Sequence, residues 1–280
     1  MRGILTPLVC TLVLAVGCSS PGGPAADESP PTSGPSADSG ETAISEETDR
    51  AIAGLRRMSE FLASQPGLRF EAEISYDAIQ ASGQKIEFGS HRKITLRRPD
   101  AAQIVVSHWD GARELLTFDG VRLSAAIPGR GVYTSIEYAG NVAQALDHLV
   151  TEYGMATPLT DLLRLDLSDE VASRMRSARR VGSVTIAGEL CDHLAFRGER
   201  VDFQIFIRQG DEPVPLRFLI DYHAETGGPQ FRARLHDWEL GPELPDSLFQ
   251  LRPPSGAQHV EFAELMDLLL GSLDAREDDR

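Results

Sequence analysis

Four groupings in this 280-residue chain have residue types that could do chemistry. Cys191, Asp192 and His193 set a thiol, a carboxylate and an imidazole in a row. Neighbours on a strand point to opposite faces, so Cys191 and His193 share a side and Asp192 does not. That suits either a thiol–imidazole pair or a small core thiol next to a satisfied histidine. Ser90-His91-Arg92-Lys93 spells S-x-x-K, a nucleophile motif that needs a helical turn to bring Lys to Ser. The segment alternates as a strand, so the match is one of letters only. The histidines at 91, 108, 148, 193, 223, 236 and 259 are scattered, and no pair has a zinc-ligand spacing. Asp110, Asp119, Asp211 and Asp221 sit in or near turns, which explain them more simply than paired-carboxylate hydrolysis does. No phosphate loop, dinucleotide fingerprint or H-E-x-x-H occurs. The expectation is a protein that is not an enzyme, with no catalytic residue, metal ligand or cofactor.

The most telling chemistry lies at the start. Arg2 precedes an apolar run from Ile4 to Val16 that is too short to span a bilayer. The ending Leu14-Ala15-Val16-Gly17-Cys18 resembles the bacterial lipobox, which implies acylation of Cys18 with palmitate-type chains. The alternative is a plain secretory signal with an incidental cysteine. Residues 19–50 carry no large apolar side chain before Ile44, so they cannot bury enough surface to offset their ordering entropy. Ser19 and Ser20 resemble the pattern of proteins sorted to an outer membrane. Residues 1–17 are therefore expected to be a signal peptide and 18–44 a lipidated tether. A domain over 45–262 and a tail over 263–280 would follow. With the signal removed, Cys191 is the only thiol besides the acylated one, and no internal disulfide is available.

Composition narrows the partners. With 27 basic against 42 acidic residues and a net charge of −15, the chain is a poor match for nucleic acid or an anionic membrane surface. Aromatics at 6% argue against a base-stacking platform. The Arg174–Arg180 run is the one local basic patch, read either as a contact for anionic lipid or an acidic partner or as a solvated helix face.

The elements that must position these groups follow from periodicity. Ser45 with Glu46 and Glu47 suits a helix start, and Ile52, Leu55, Met58 and Leu62 keep helical spacing up to Pro66-Gly67. From Phe70 the period becomes two, and strands are expected near 70–77, 86–96, 103–109, 114–118, 121–126 and 132–138. Asn141 caps a predicted helix ending at Gly154, with further helices expected from Thr157-Pro158 and from Ser168 through Met175. Strands resume at 183–186, 190–196, 201–208, 216–222 and 231–240. Phe206 and Leu219 are apolar on the face opposite their neighbours, so both sheet faces are expected to be covered, the second by an opposite wall or a bound ligand. About ten strands around a helical insert make an antiparallel α+β pattern.

The stretches Arg97-Arg98-Pro99-Asp100, Phe118-Asp119-Gly120, Pro158-Leu159-Thr160-Asp161-Leu162-Leu163, Gly188–Leu194 and Val201–Ile207 carry a family resemblance. Pro213-Val214-Pro215, Asp237-Trp238 and Pro253-Pro254 extend it over roughly 51–262. The chain resembles a bacterial family of predicted periplasmic proteins of unknown function, similar in fold to the Lol-type lipoprotein carriers. The resemblance implies a curved, incomplete antiparallel β-barrel closed by helices over an apolar hollow. Ile74, Phe88, Phe118, Phe203, Ile205 and Phe218 are the expected lining. Phe262, Leu265, Met266, Leu269, Leu270 and Leu273 form a helical apolar stripe that packs on its own domain, docks a partner or plugs the hollow. The expected function is a lipid-anchored envelope protein on the periplasmic side of the outer membrane, binding a lipid or lipoprotein acyl chain. The alternative is an interaction or stress-sensor module with a filled core and an envelope protein partner.

Overall fold

The computed structural model describes residues 38–155, 159, 171, 173–253 and 255–269, with side chains from residue 46 onward. The expected signal peptide, Cys18, the expected tether up to residue 37 and the tail from residue 270 lie outside these residues. So do the expected helices after Thr157 and at Ser168, apart from buried Leu159, buried Val171 and the turn leading to Met175.

The chain opens with α1 (Asp38–Ser64), which begins ahead of the expected start at Ser45. Six strands follow: β1 (Gly67–Ile79), β2 (Lys85–Arg97), β3 (Ala101–His108), β4 (Arg113–Phe118), β5 (Arg122–Ile127) and β6 (Val132–Glu137). Then come α2 (Val142–Tyr153) and five strands: β7 (Ser177–Ile186), β8 (Glu189–Arg197), β9 (Asp202–Arg208), β10 (Pro215–Asp221) and β11 (Gln230–Leu240). A two-residue strand, β12 (Gln258–His259), and a helix over 262–269 complete the described chain.

All twelve strands form one sheet in the order β12-β6-β5-β4-β3-β2-β1-β11-β10-β9-β8-β7. The sheet is curved and not closed, an α+β architecture as expected. Every described pairing is antiparallel except β12 on β6. β12 escapes sequence reading because two residues carry no periodicity.

Alternation sorts the two faces. On β1, Leu68, Phe70, Ala72, Ile74 and Ala78 are buried while the charged residues between them face outward. β1 lies at the centre, paired with β2 over its whole length and with β11 on the other side. The inner face is roofed by helices. Ala51, Leu55, Met58 and Leu62 of α1 are buried, and Thr48 Oγ1 donates to the Ala178 carbonyl of β7 at 3.0 Å. Gly54 lets α1 approach closely, since a Cβ there would stand 3.1 Å from Leu194 Cδ1. α2 is set by a capping box, in which the Asn141 side chain accepts from the Gln144 amide and the Gln144 side chain from the Asn141 amide. Gly154 ends α2 in the left-handed conformation. Phe262, Leu265, Met266 and Leu269 are buried, so the described part of the C-terminal stripe packs on its own domain.

Two expectations need correction. Residues 177–180 of the arginine run belong to strand β7 rather than to a helix, because the backbone pairs with β8 from Ser177 onward. At Phe206 the outer face meets no opposite wall among the described residues. There the His193 ring stacks at 4.2 Å and the Arg217 guanidinium lies 5.8 Å from the ring centre.

Candidate functional site on the inner face of the sheet

Register places the six expected lining residues on one face. Ile74 on β1 is two steps from Tyr76, which pairs with Phe88 on β2. Ile205 pairs with Phe218, and Phe203 lies beside both in the same row. Phe118 sits on β4 opposite Ala102. All but Phe88 are buried. Phe196, Phe203 and Phe218 form a run of rings, with centroids 4.5 Å and 5.8 Å apart. The six do not share one open chamber. Phe203, Ile205 and Phe218 lie in the β8–β11 wing, whereas Phe118 lies in the β2–β5 wing beside α2.

Unfilled space on this face lies under α2. A cavity of about 30 Å³ is bounded by Phe70, Arg92, Ile94, Leu96, Ile104, Val142, Leu146 and Leu159. A second, of about 20 Å³, continues past Ala102 to Leu116, Phe118, Leu123, Ala145 and Leu149. Their combined volume suits one or two water molecules, far short of the 300 Å³ or more of a typical ligand pocket. Both have Ala102, Ile104, Val142 and Leu146 in common, so they form one seam between α2 and the sheet.

At one end of that seam the inner face turns polar, which sequence reading missed. Ser90 pairs with His108, and Arg92 lies across Val106 from Glu114. The His108 Nε2 and Glu114 Oε1 atoms are 2.8 Å apart. Ser90 Oγ is buried and has no hydrogen-bond partner among the described residues. The signal was present in β2, where Ser90 and Arg92 occupy positions that alternation assigns to the apolar face. The S-x-x-K match is one of letters only, since Lys93 points outward to Glu71 at 2.6 Å and away from Ser90.

Cys191 and His193 do not form a catalytic pair. The Cys191 thiol is fully buried and donates to the Glu189 carbonyl at 3.6 Å. Burial, with the nearby Glu189 and Asp192 charges, pushes it above the ordinary thiol pKa, the reverse of an activated nucleophile. The His193 Nε2 instead meets Gln204 Oε1 at 2.8 Å. Asp192 turns to the other face, meeting Arg180 at 2.6 Å and Arg57 of α1 at 3.5 Å. The arginine run is largely committed to ion pairs, with Arg176 on Glu199, Arg179 on Glu47 and Arg180 on Asp192.

A separate cleft of about 430 Å³ lies on the outer face of β5 and β6. Arg122, Ser124, Tyr133 and Ser135 line it, with Phe249 and Leu251 from the chain that follows β11.

Residues 51–263 match the family described as "Predicted periplasmic protein (DUF2092)", and the chain belongs to that family. No curated protein matches it. Among solved structures, the chain is similar to the lipoprotein LppX of Mycobacterium tuberculosis, at 13% identity over 70% of this chain and 98% of that one, with a TM-score of 0.43. A LolA superfamily protein from Nitrosomonas europaea is 14% identical over 72% of this chain and 97% of that one, with a TM-score of 0.36. In the Pseudomonas aeruginosa MucA/MucB complex, the matched chain is 19% identical over 75% of this chain and 63% of its own length, with a TM-score of 0.40.

Proposed function

We propose that this is a lipid-anchored envelope protein, held at the outer membrane through acylated Cys18, that takes an acyl chain with an acidic end between α2 and the sheet. The observation that carries the reading is the seam of apolar voids under α2, bounded at one end by Arg92, with the Ser90 hydroxyl, which has no partner among the described residues, two positions along the same face of β2. The chain slides into the seam and lifts the helix. Its carboxylate meets the guanidinium and the hydroxyl, a charge-assisted contact in a dry setting.

Magnitudes favour the exchange. Lifting α2 exposes Val142, Ala145 and Leu149, at a cost on the order of 5 kcal/mol. Ten buried methylenes return about 8 kcal/mol at roughly 0.8 kcal/mol each. Ile94, Ile104 and Phe118 would then line the chain. Phe203, Ile205 and Phe218 act as the rigid wall behind α1.

The test is titration of the protein with a fluorescent polyunsaturated fatty acid. Saturable binding is expected, weakened at least fivefold by Arg92→Gln and displaced by palmitate more readily than by the matching alcohol. Absence of saturable uptake would instead favour the filled-core module. In that case cross-linking in cells should trap one stoichiometric envelope protein and no lipid.

A further inference from the structure

The outer face of the sheet brings together groups that the sequence keeps 145 residues apart. β1 carries Glu71 and Glu73 outward, with His91 of β2 on one side and His236 of β11 on the other. His91 Nε2 lies 2.7 Å from Glu71 Oε2 and 4.0 Å from Glu73 Oε1. The two imidazole rings face each other across β1, 6.3 Å between centres and 23° apart in plane. One ligand atom from each of Glu73, His91 and His236 lies within 4.8 Å of those of the other two. Glu71, His236 and Asp237 meet the same limit and overlap the first set.

The backbone is bent to make this arrangement. The β1–β11 register slips between Arg69 and Glu71, leaving an extra residue on β11. Asp237 in that bulge has φ 53°, a left-handed conformation that costs a non-glycine residue about 1 kcal/mol or more. It sets the Asp237 carboxylate 2.9 Å from His236 Nδ1. A carboxylate on one ring nitrogen holds the proton there and leaves the other nitrogen's lone pair for an ion. On His91 the Glu71 carboxylate takes Nε2 in the same way, which leaves Nδ1, brought round by a turn of the ring, for the ion. Bulges that re-aim side chains cluster beside functional sites.

We propose that His91, His236 and Glu73 bind a divalent transition-metal ion, best suited to Zn²⁺, with Asp237 and Glu71 orienting the two imidazoles. Two imidazoles and a carboxylate are a recurrent zinc ligand set. At Zn–N distances near 2.1 Å, tetrahedral ligand atoms stand about 3.4 Å apart. Closing from within 4.8 Å needs only rotamer adjustment of long or half-exposed side chains. Lys93 on Glu71 keeps that carboxylate as an orienting group, while Glu73, half exposed, is free to turn inward. This site lies on the opposite face from the α2 seam and does not depend on the acyl-chain reading.

The experiment is calorimetric titration of ZnSO₄ into the untagged, EDTA-stripped full chain. One saturable equivalent is expected, with affinity reduced at least tenfold in His91→Ala and His236→Ala and severalfold in Glu73→Gln. His259→Ala, on exposed β12, should match wild type. Co²⁺ in place of Zn²⁺ should give a visible spectrum of low-symmetry coordination that the histidine variants lose. Glu73→Gln changes an exposed side chain, so its effect on binding is readable even if a histidine variant folds poorly. Absence of a saturable equivalent in wild type, or equal binding by wild type and both histidine variants, would overturn the proposal.

Discussion

At Asp77 two forces oppose each other. Burial of its carboxylate on the outer face of β1 raises its pKa. The Arg232 hydrogen bonds at 3.0 and 3.3 Å, the Arg232 charge, the Gln230 amide and nearby Lys85 outweigh burial and hold it below the usual carboxylate range. A depressed folded-state pKa gives stability that is complete above the unfolded value near 3.9 and is lost as pH falls through the folded value. Asp77→Asn should therefore lower stability by about 2 kcal/mol at pH 7, with the gap to wild type narrowing below about pH 4. Urea unfolding at a series of pH values reads both. Cys191 gives a second residue-scale prediction. Its buried, pKa-raised thiol should resist iodoacetamide in the native protein at pH 8 and react once urea unfolds the chain. Ready native labelling would reopen the case for a reactive thiol.

At the scale of elements, α1 and α2 should respond differently to change. α1 is seated tightly on β8, so Gly54→Leu must push the helix off Leu194 and should cost 1–3 kcal/mol in urea unfolding. α2 sits over the voids and depends on its capping box. Asn141→Ala should cost about 1 kcal/mol and, on the acyl-chain reading, speed fatty-acid exchange, because a frayed α2 lifts more easily. Stopped-flow displacement of the fluorescent fatty acid measures that rate. A slower or unchanged rate would argue that α2 is a fixed part of the core. Filling the seam is the converse test. Ala102→Phe places a ring where both voids meet and should abolish uptake while leaving the sheet intact by circular dichroism.

At the scale of the molecule, what the sequence revealed depended on how far apart the interacting residues lie. Strands such as β1 and β9 were visible because apolar and polar residues alternate locally, and Asn141 and Gly154 mark the ends of α2 within one short window. That Phe203 and Ile205 share one face of β9 followed from the same alternation, whereas which face is the inner one did not. The His91–His236 pairing did not, since it arises only when β11 returns to lie beside β1. Nor did the polar end of the seam, which needs the β2–β3–β4 register to bring Ser90, Arg92, His108 and Glu114 together. The Arg180–Asp192 pair likewise exists only because β7 extends further toward the N-terminus than its apolar pattern suggests. Whether both faces act in one function turns on the seam. Native mass spectrometry of the full chain, purified from envelopes and freed from detergent in the gas phase, tests it most directly. The expected species is a chain lacking residues 1–17, carrying acyl mass on Cys18, and retaining one additional non-covalent fatty acid that Ala102→Phe removes. A chain that never carries that second, exchangeable lipid would contradict the acyl-chain reading.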